Sequence, residues 1–162
     1  TVVRALTRRG DTLWIASDAG VLVLPPGAVQ ARRVRSAGSD ARLNLPVYAI
    51  ATADSIVAIA TASGEVLRIH TRTGDVLDEV SYVNSLSVGV LNAIALDATT
   101  LWVAGDRGVL AMNRATRAQR FLVAGPDIPG EAYGIVLTPQ YAWIATRGGA
   151  VRLRRLDDGM LR

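Results

Sequence analysis

Chemistry in this chain would have to start from few residues. The sequence holds one histidine, His70, and no cysteine. A thiolate nucleophile, a disulfide framework and a multi-histidine zinc site are therefore excluded within it. A Ser-His-Asp arrangement would depend on His70, but no serine stands in a nucleophile-elbow pattern. A lone histidine on an outer strand reads as a surface or capping residue. The acidic pairs Asp78–Glu79 and Asp157–Asp158 fall in polar stretches between or after strands, where solvation explains them. No loop offers the Asp-rich spacing of a calcium site. Gly148–Gly149 reads as a turn, because no helix follows to supply the dipole of a phosphate cradle. The residues thus assign no catalytic set, no metal and no cofactor.

The elements that could position a binding site are more informative. At 162 residues and 50% hydrophobic content the chain is expected to be one domain with a real core. No apolar run approaches the roughly 18 residues of a membrane helix. The chain opens at Thr1 without a charged-then-apolar leader, the expectation for a mature product or a piece of something longer. All eighteen positive residues are arginine, which reads as a compositional bias of the source. The net charge of +4 is spread along the sequence. Arg32, Arg33 and Arg35 form the densest cluster, followed by Arg152, Arg154 and Arg155. Nucleic-acid binders interleave such clusters with stacking aromatics, which make up only 5% here, so both clusters read as solvated faces.

An internal repeat organises the chain. With Trp14, Trp102 and Trp143 in register, a glycine follows six residues later at Gly20, Gly108 and Gly149. A branched aliphatic precedes by eight at Leu6, Ile94 and Ile135. The 88-residue gap between the first two tryptophans predicts a hidden copy at Ala58, with Gly64 after it and Ile50 before it. Each copy reads as a short strand, a turn, a second strand ("LWIAS", "VAIAT", "LWVAG", "AWIAT"), a glycine turn and a third strand, then a more irregular fourth. First strands are expected near Val3, Val47, Leu91 and Tyr133. No window suggests an amphipathic helix.

Four strands in about 40–45 residues, repeated, is the pattern of propeller blades. A four-stranded sheet with two apolar faces must stack on neighbours, and the tryptophan supplies area between them. The fold class is therefore all-β, a β-propeller of four-stranded antiparallel blades with four blades in this chain. The blades are placed at about 1–43, 44–87, 88–130 and 131–162, as a single propeller domain or half-propeller. Trp14, Trp102 and Trp143 are all expected between blades, with Ala58 at the equivalent place.

The motif V-x-A-I/L, a turn, L-W-I/V-A/G-S/T, two spacers and G-V/L resembles the two-component-regulator propeller repeat, related in style to WD40 blades, over essentially the whole chain. The resemblance implies a periplasmic, sensor-like bacterial module and carries no catalytic residue with it. "TRTGDVLDEV" at 71–80 instead resembles the strand of quinoprotein-type repeats, without support in the other blades. "SDAG" at 17–20 resembles the aspartate box of sialidase propellers but lacks its later threonine and tryptophan.

One column varies among large residues within a constant frame: Arg4, Tyr48, Asn92 and Tyr133, ten before each tryptophan position. It is the candidate binding rim, against the plainer reading that it ties adjacent blades together. Asp18, Asp106, Arg107 and Arg147, in the loops between second and third strands, are secondary candidates. The leading functional expectation is a non-enzymatic ligand- or protein-binding propeller, a sensor or scaffold outside the cytoplasm, without nucleic acid and without direct membrane insertion. The rivals are part of a propeller enzyme (lyase, hydrolase or quinoprotein) whose catalytic residues lie outside this segment, and an accessory subunit of a membrane-associated complex. Full propellers usually carry six to eight blades, four-bladed closures being rare, and neither terminal repeat reads as a polar cap. The end faces are therefore expected to be covered by further blades, a second copy or a protein partner.

Overall fold

The computed structural model describes residues 1–35, 38–81, 87–156 and 160–161. The acidic pair Asp157–Asp158 lies outside the described residues. The chain forms two compact units, Thr1–Ser85 and Leu86–Arg162. Each unit contains two antiparallel sheets and its own core.

In the first unit one sheet orders β1 (Val3–Arg9), β2 (Thr12–Ser17), β3 (Gly20–Leu24) and β4 (Arg32–Arg33) in sequence. The other orders β5 (Val47–Ala53), β6 (Ile56–Thr61), β7 (Val66–His70) and β8 (Val76–Val80). The second unit repeats this with β9 (Leu91–Leu96), β10 (Thr100–Gly105), β11 (Gly108–Asn113) and β12 (Gln119–Val123). Among the described residues its second sheet has β13 (Ala132–Leu137), β14 (Tyr141–Thr146) and β15 (Gly149–Arg154). These are four up-and-down propeller blades, the fourth with three strands among the described residues. After β15 the described chain makes a single antiparallel bridge, Arg155 to Leu161, in place of a strand. A second departure is the 3₁₀ turn Ala41–Asn44, started by Asp40, whose carboxylate accepts the Arg42 N–H at 2.9 Å.

Register makes the repeat physical. Trp14 lies between Thr7 and Val23, Ala58 between Ala51 and Arg68, Trp102 between Ala95 and Ala111, and Trp143 between Val136 and Arg152. The four positions are equivalent, and Ala58 is fully buried. Strand alternation then gives each blade two unlike faces. Trp14, Ala16, Val21 and Val23 pack on Val47, Ile50, Val57, Ile59, Leu67 and Ile69 of the second blade. In the second unit Trp102, Ala104, Val109 and Ala111 pack on Ala132, Ile135, Ala142, Ile144, Val151 and Leu153. One blade thus offers a tryptophan among small residues, and the next receives it on six aliphatic positions.

Trp143 corrects the expectation that all three tryptophans are buried. It is 41% exposed, against 4% for Trp14 and 0% for Trp102. The cause is the same alternation: Ala142 and Ile144 turn into the unit's core, so Trp143 faces away from it. It is flanked there by Tyr141, ring centroids 6.4 Å apart, and by the Arg152 guanidinium 5.6 Å from its ring centre.

Hairpin chemistry repeats as well. The Ser17 hydroxyl donates to Gly20 O at 2.8 Å, Thr61 to Glu65 O at 3.3 Å and Thr146 to Gly149 O at 2.7 Å. The second blade's hairpin is one residue longer, so Glu65 holds the place of Gly20 and Gly64 lies inside the turn. Gly108 shows why glycine is needed at this column. Its φ is +145°, and a Cβ there would stand 1.9 Å from the Leu122 carbonyl oxygen.

Candidate functional site

The varying column begins each blade's first strand. In the first unit the Arg4 guanidinium lies over the Tyr48 ring, 4.9 Å from its centre, a cation–π contact from one blade to the next. In the second, the Asn92 side-chain amide donates to Ala132 O at 2.9 Å, again across the blade seam. Three of the four column residues therefore engage an adjacent blade. Tyr133 differs. It is 50% exposed and its hydroxyl donates to the Glu131 carboxylate. That hydrogen bond holds the phenol above its ordinary value.

Asp18 and Asp106 serve as latches. Asp18 Oδ1 accepts the Val2 N–H at 2.9 Å while its own N–H donates to Val2 O at 3.1 Å. Asp106 does the same with Val90, at 2.9 and 3.3 Å. Arg147 keeps only the backbone half of this latch, donating to Glu131 O at 2.9 Å, and its guanidinium lies 3.9 Å from the Glu131 carboxylate. Arg107 is exposed beside a hollow of about 500 Å³ that Phe121 and Val123 also line.

A cleft of about 520 Å³ in the first unit gathers a different set, at the opposite ends of the strands. Trp14, Val23 and Val34 supply its apolar wall, and Arg9, Arg32, Arg35, Arg72 and His70 line it. The fold assembles them from three segments. Arg9 ends β1 and its Nε donates to Asp54 O on the next blade. Arg32 lies in β4 and Arg35 follows it. His70 ends β7 and Arg72 follows in the β7–β8 turn, which closes by Gly74 N–H donating to His70 O at 2.9 Å. At Gly74, with φ +74°, a Cβ would stand 2.5 Å from Arg35 O, so this turn presses directly on the Arg35 backbone. Thr73 Oγ1 lies 3.5 Å from His70 Nδ1 and accepts the Asp75 N–H at 3.3 Å.

Sequence reasoning singled out His70, the Arg32–Arg35 cluster and the unusual 71–80 segment separately, and read the arginines as solvated. The missed signal was that the second blade departs from the repeat in the turn that faces those arginines. No group of three or more His, Asp or Glu that could hold a metal occurs among the described residues. No described helix is long and apolar enough to cross a membrane.

The blade geometry defines the class, a β-propeller-type chain, and comparison with solved structures agrees. The chain is similar to the extracellular domain of a protein described as a hybrid two component system, BT3049 of B. thetaiotaomicron, with a TM-score of 0.72 and 17% identity. That likeness covers 93% of this chain and 21% of the other. It is equally similar to the extracellular domain of a one component system, BT4673, of the same organism (TM-score 0.72, 17% identity, 99% of this chain and 21% of that one). BamB from Moraxella catarrhalis aligns at a TM-score of 0.67 and 16% identity, over 91% of this chain and 41% of its own. The chain thus spans about a fifth of the two extracellular domains and less than half of BamB. No protein-family model matches the sequence, and no curated protein matches it.

Proposed function

We propose that the chain is a non-enzymatic binding module of a bacterial propeller outside the cytoplasm, acting as a sensor or scaffold part of the two-component-regulator repeat type. The observation that carries this reading is a pair of blade faces that expose large apolar side chains. Trp143, Tyr141 and Val136 present the tryptophan-type face on the fourth blade, with Trp143 41% and Val136 63% exposed. On the first blade Val3, Leu6, Leu13, Ile15, Leu22 and Leu24 occupy the six positions that receive the tryptophan elsewhere. Val3 and Leu6 are 54% and 56% exposed, Leu13, Leu22 and Leu24 are half-buried, and Ile15 is buried. A blade face is comparable in size to a protein interface, and leaving apolar area uncovered forgoes about 25 cal/mol per Å². The surface that fits Trp143 is another blade's six-position aliphatic face. Fold likeness to the extracellular domains of a hybrid two component system and a one component system supports the location and the sensing role.

Light scattering on the 162-residue chain tests it. The expected result is concentration-dependent association or binding of a hydrophobic dye, abolished by Trp143→Arg with the far-ultraviolet circular dichroism unchanged. A monodisperse monomer that binds no dye refutes it.

A further inference from the structure

The arginines of this chain fall into two groups. Several are neutralised by carboxylates within their own unit: Arg42 by Asp40 and Glu79, Arg68 by Asp78, Arg155 by Asp97, and Arg8 by Asp11. The cleft between the first two blades is different. Arg32, Arg35 and Arg72 enter no ion pair among the described residues, and no described lining residue is acidic. Asp54 and Asp75 flank the turns, but neither lines the cleft.

We infer that this cleft is a binding site for a compact oxyanion carrying two or more negative charges, a phosphate ester or a polycarboxylate, held by Arg32, Arg35 and Arg72. Like charges converging in a concave surface repel one another and raise the local concentration of anions. Guanidinium forks match phosphate and carboxylate oxygens in planar, charge-assisted pairs. The convergence is built into the fold, because the Gly74–Arg35 backbone contact brings the β7–β8 turn against the segment after β4. The Arg9 guanidinium is pinned across the same seam by Asp54 O, and the Thr73 hydroxyl is fixed within the turn. Trp14 on the apolar wall gives the site a spectroscopic reporter.

The experiment is titration calorimetry of the 162-residue chain with inorganic pyrophosphate and, separately, citrate, at a low salt of about 20 mM so that screening is weak. Intrinsic tryptophan fluorescence, to which Trp14 contributes, is followed in parallel. Saturable binding of one or both is expected, weakened about tenfold or more by Arg72→Gln and by Arg35→Gln, the scale of a lost charge-assisted pair. Arg120→Gln, on an exposed strand of the third blade, should leave it unchanged. Binding of pyrophosphate alone assigns the site to phosphate esters, citrate alone to carboxylates, and both to their shared charge. Absence of saturable heat overturns the inference. So does binding that Arg72→Gln and Arg35→Gln leave intact, or that Arg120→Gln weakens equally. The readout is separate from light scattering at Trp143, so this site and the partner-binding reading can fail independently.

Discussion

Replacing Trp102 and Trp143 by alanine, one at a time, tests what a blade seam is worth. The two residues occupy the same register position, yet Trp102 is 0% and Trp143 41% exposed. Trp102 contributes a fully buried ring packed against Ala142 and Ile144, and its indole N–H donates to Thr100 Oγ1 at 2.9 Å. Truncating a buried tryptophan removes the transfer term and leaves a cavity, together about 3–5 kcal/mol. The hydroxyl left behind still accepts from Arg155 at 3.1 Å, so no further penalty arises there. Trp143 loses only half-covered area and contacts with Tyr141 and Arg152, within about 1 kcal/mol of a surface change. Guanidinium unfolding followed by far-ultraviolet circular dichroism reads both. For a unit of this size a loss of 3–5 kcal/mol also lowers the melting midpoint by upwards of about 12 °C. A Trp102→Ala loss below about 1 kcal/mol would refute the wedge role. Equal losses at both positions would show that the face bearing Trp143 is covered.

Gly108→Ala should destabilise the second unit by about 2 kcal/mol or more, since the new Cβ meets the Leu122 carbonyl oxygen at 1.9 Å in a left-handed conformation; thermal melts decide it, and a neutral result contradicts the hairpin geometry. At Asp97, burial alone would raise the carboxyl, but hydrogen bonds from the Thr100 N–H, the Arg155 guanidinium and the Thr99 N–H outweigh it and hold the carboxyl below its ordinary value. Its stabilisation is therefore complete above the unfolded value near about 3.9 and is lost as pH falls through the lower folded value. Melting temperature should drop across that acidic window, and Asp97→Asn should flatten the drop; an unchanged profile in the variant would remove Asp97 from the account.

The fold was legible because its physics is local and repeated. A tryptophan or alanine at one register, a serine or threonine that staples three of the four hairpins and a small residue in the turn specify strand, turn and blade without long-range information. What escaped was whatever depends on a neighbour. Nothing in "YAWIAT" separates Trp143 from Trp102, since exposure depends on the blade that follows and not on the strand itself. The extra residue in the second hairpin was invisible because Gly64 kept the six-residue spacing while Glu65 took the structural position. The column Arg4, Tyr48, Asn92 and Tyr133 read as a binding rim because its side chains vary. In the structure three of these side chains meet an adjacent blade, by a cation–π pair in one unit and an amide-to-carbonyl bond in the other. The basic cleft joins Arg35 to a turn 39 residues away through a backbone contact at Gly74, and no periodicity announces such a contact.

The two unlike faces of each blade impose a direction on everything the chain can join. Within each unit the tryptophan face of the earlier blade meets the aliphatic face of the later one. The fourth blade leaves a tryptophan face uncovered and the first an aliphatic face, so the free surfaces are complementary and not alike. Contact between copies through them pairs different patches, a heterologous association that either closes on itself or continues. The outcome is visible in the same scattering measurement. Closure gives one discrete species whose mass stops rising with concentration, and continuation gives a distribution that keeps growing. Trp143→Arg removes one face and Leu6→Arg the other, so each variant alone prevents closure. A mixture of the two variants still holds one intact pair of faces and is limited to a dimer. An interface made of like patches, two tryptophan faces stacked together, would instead survive Leu6→Arg unchanged, and that result would end the directional account.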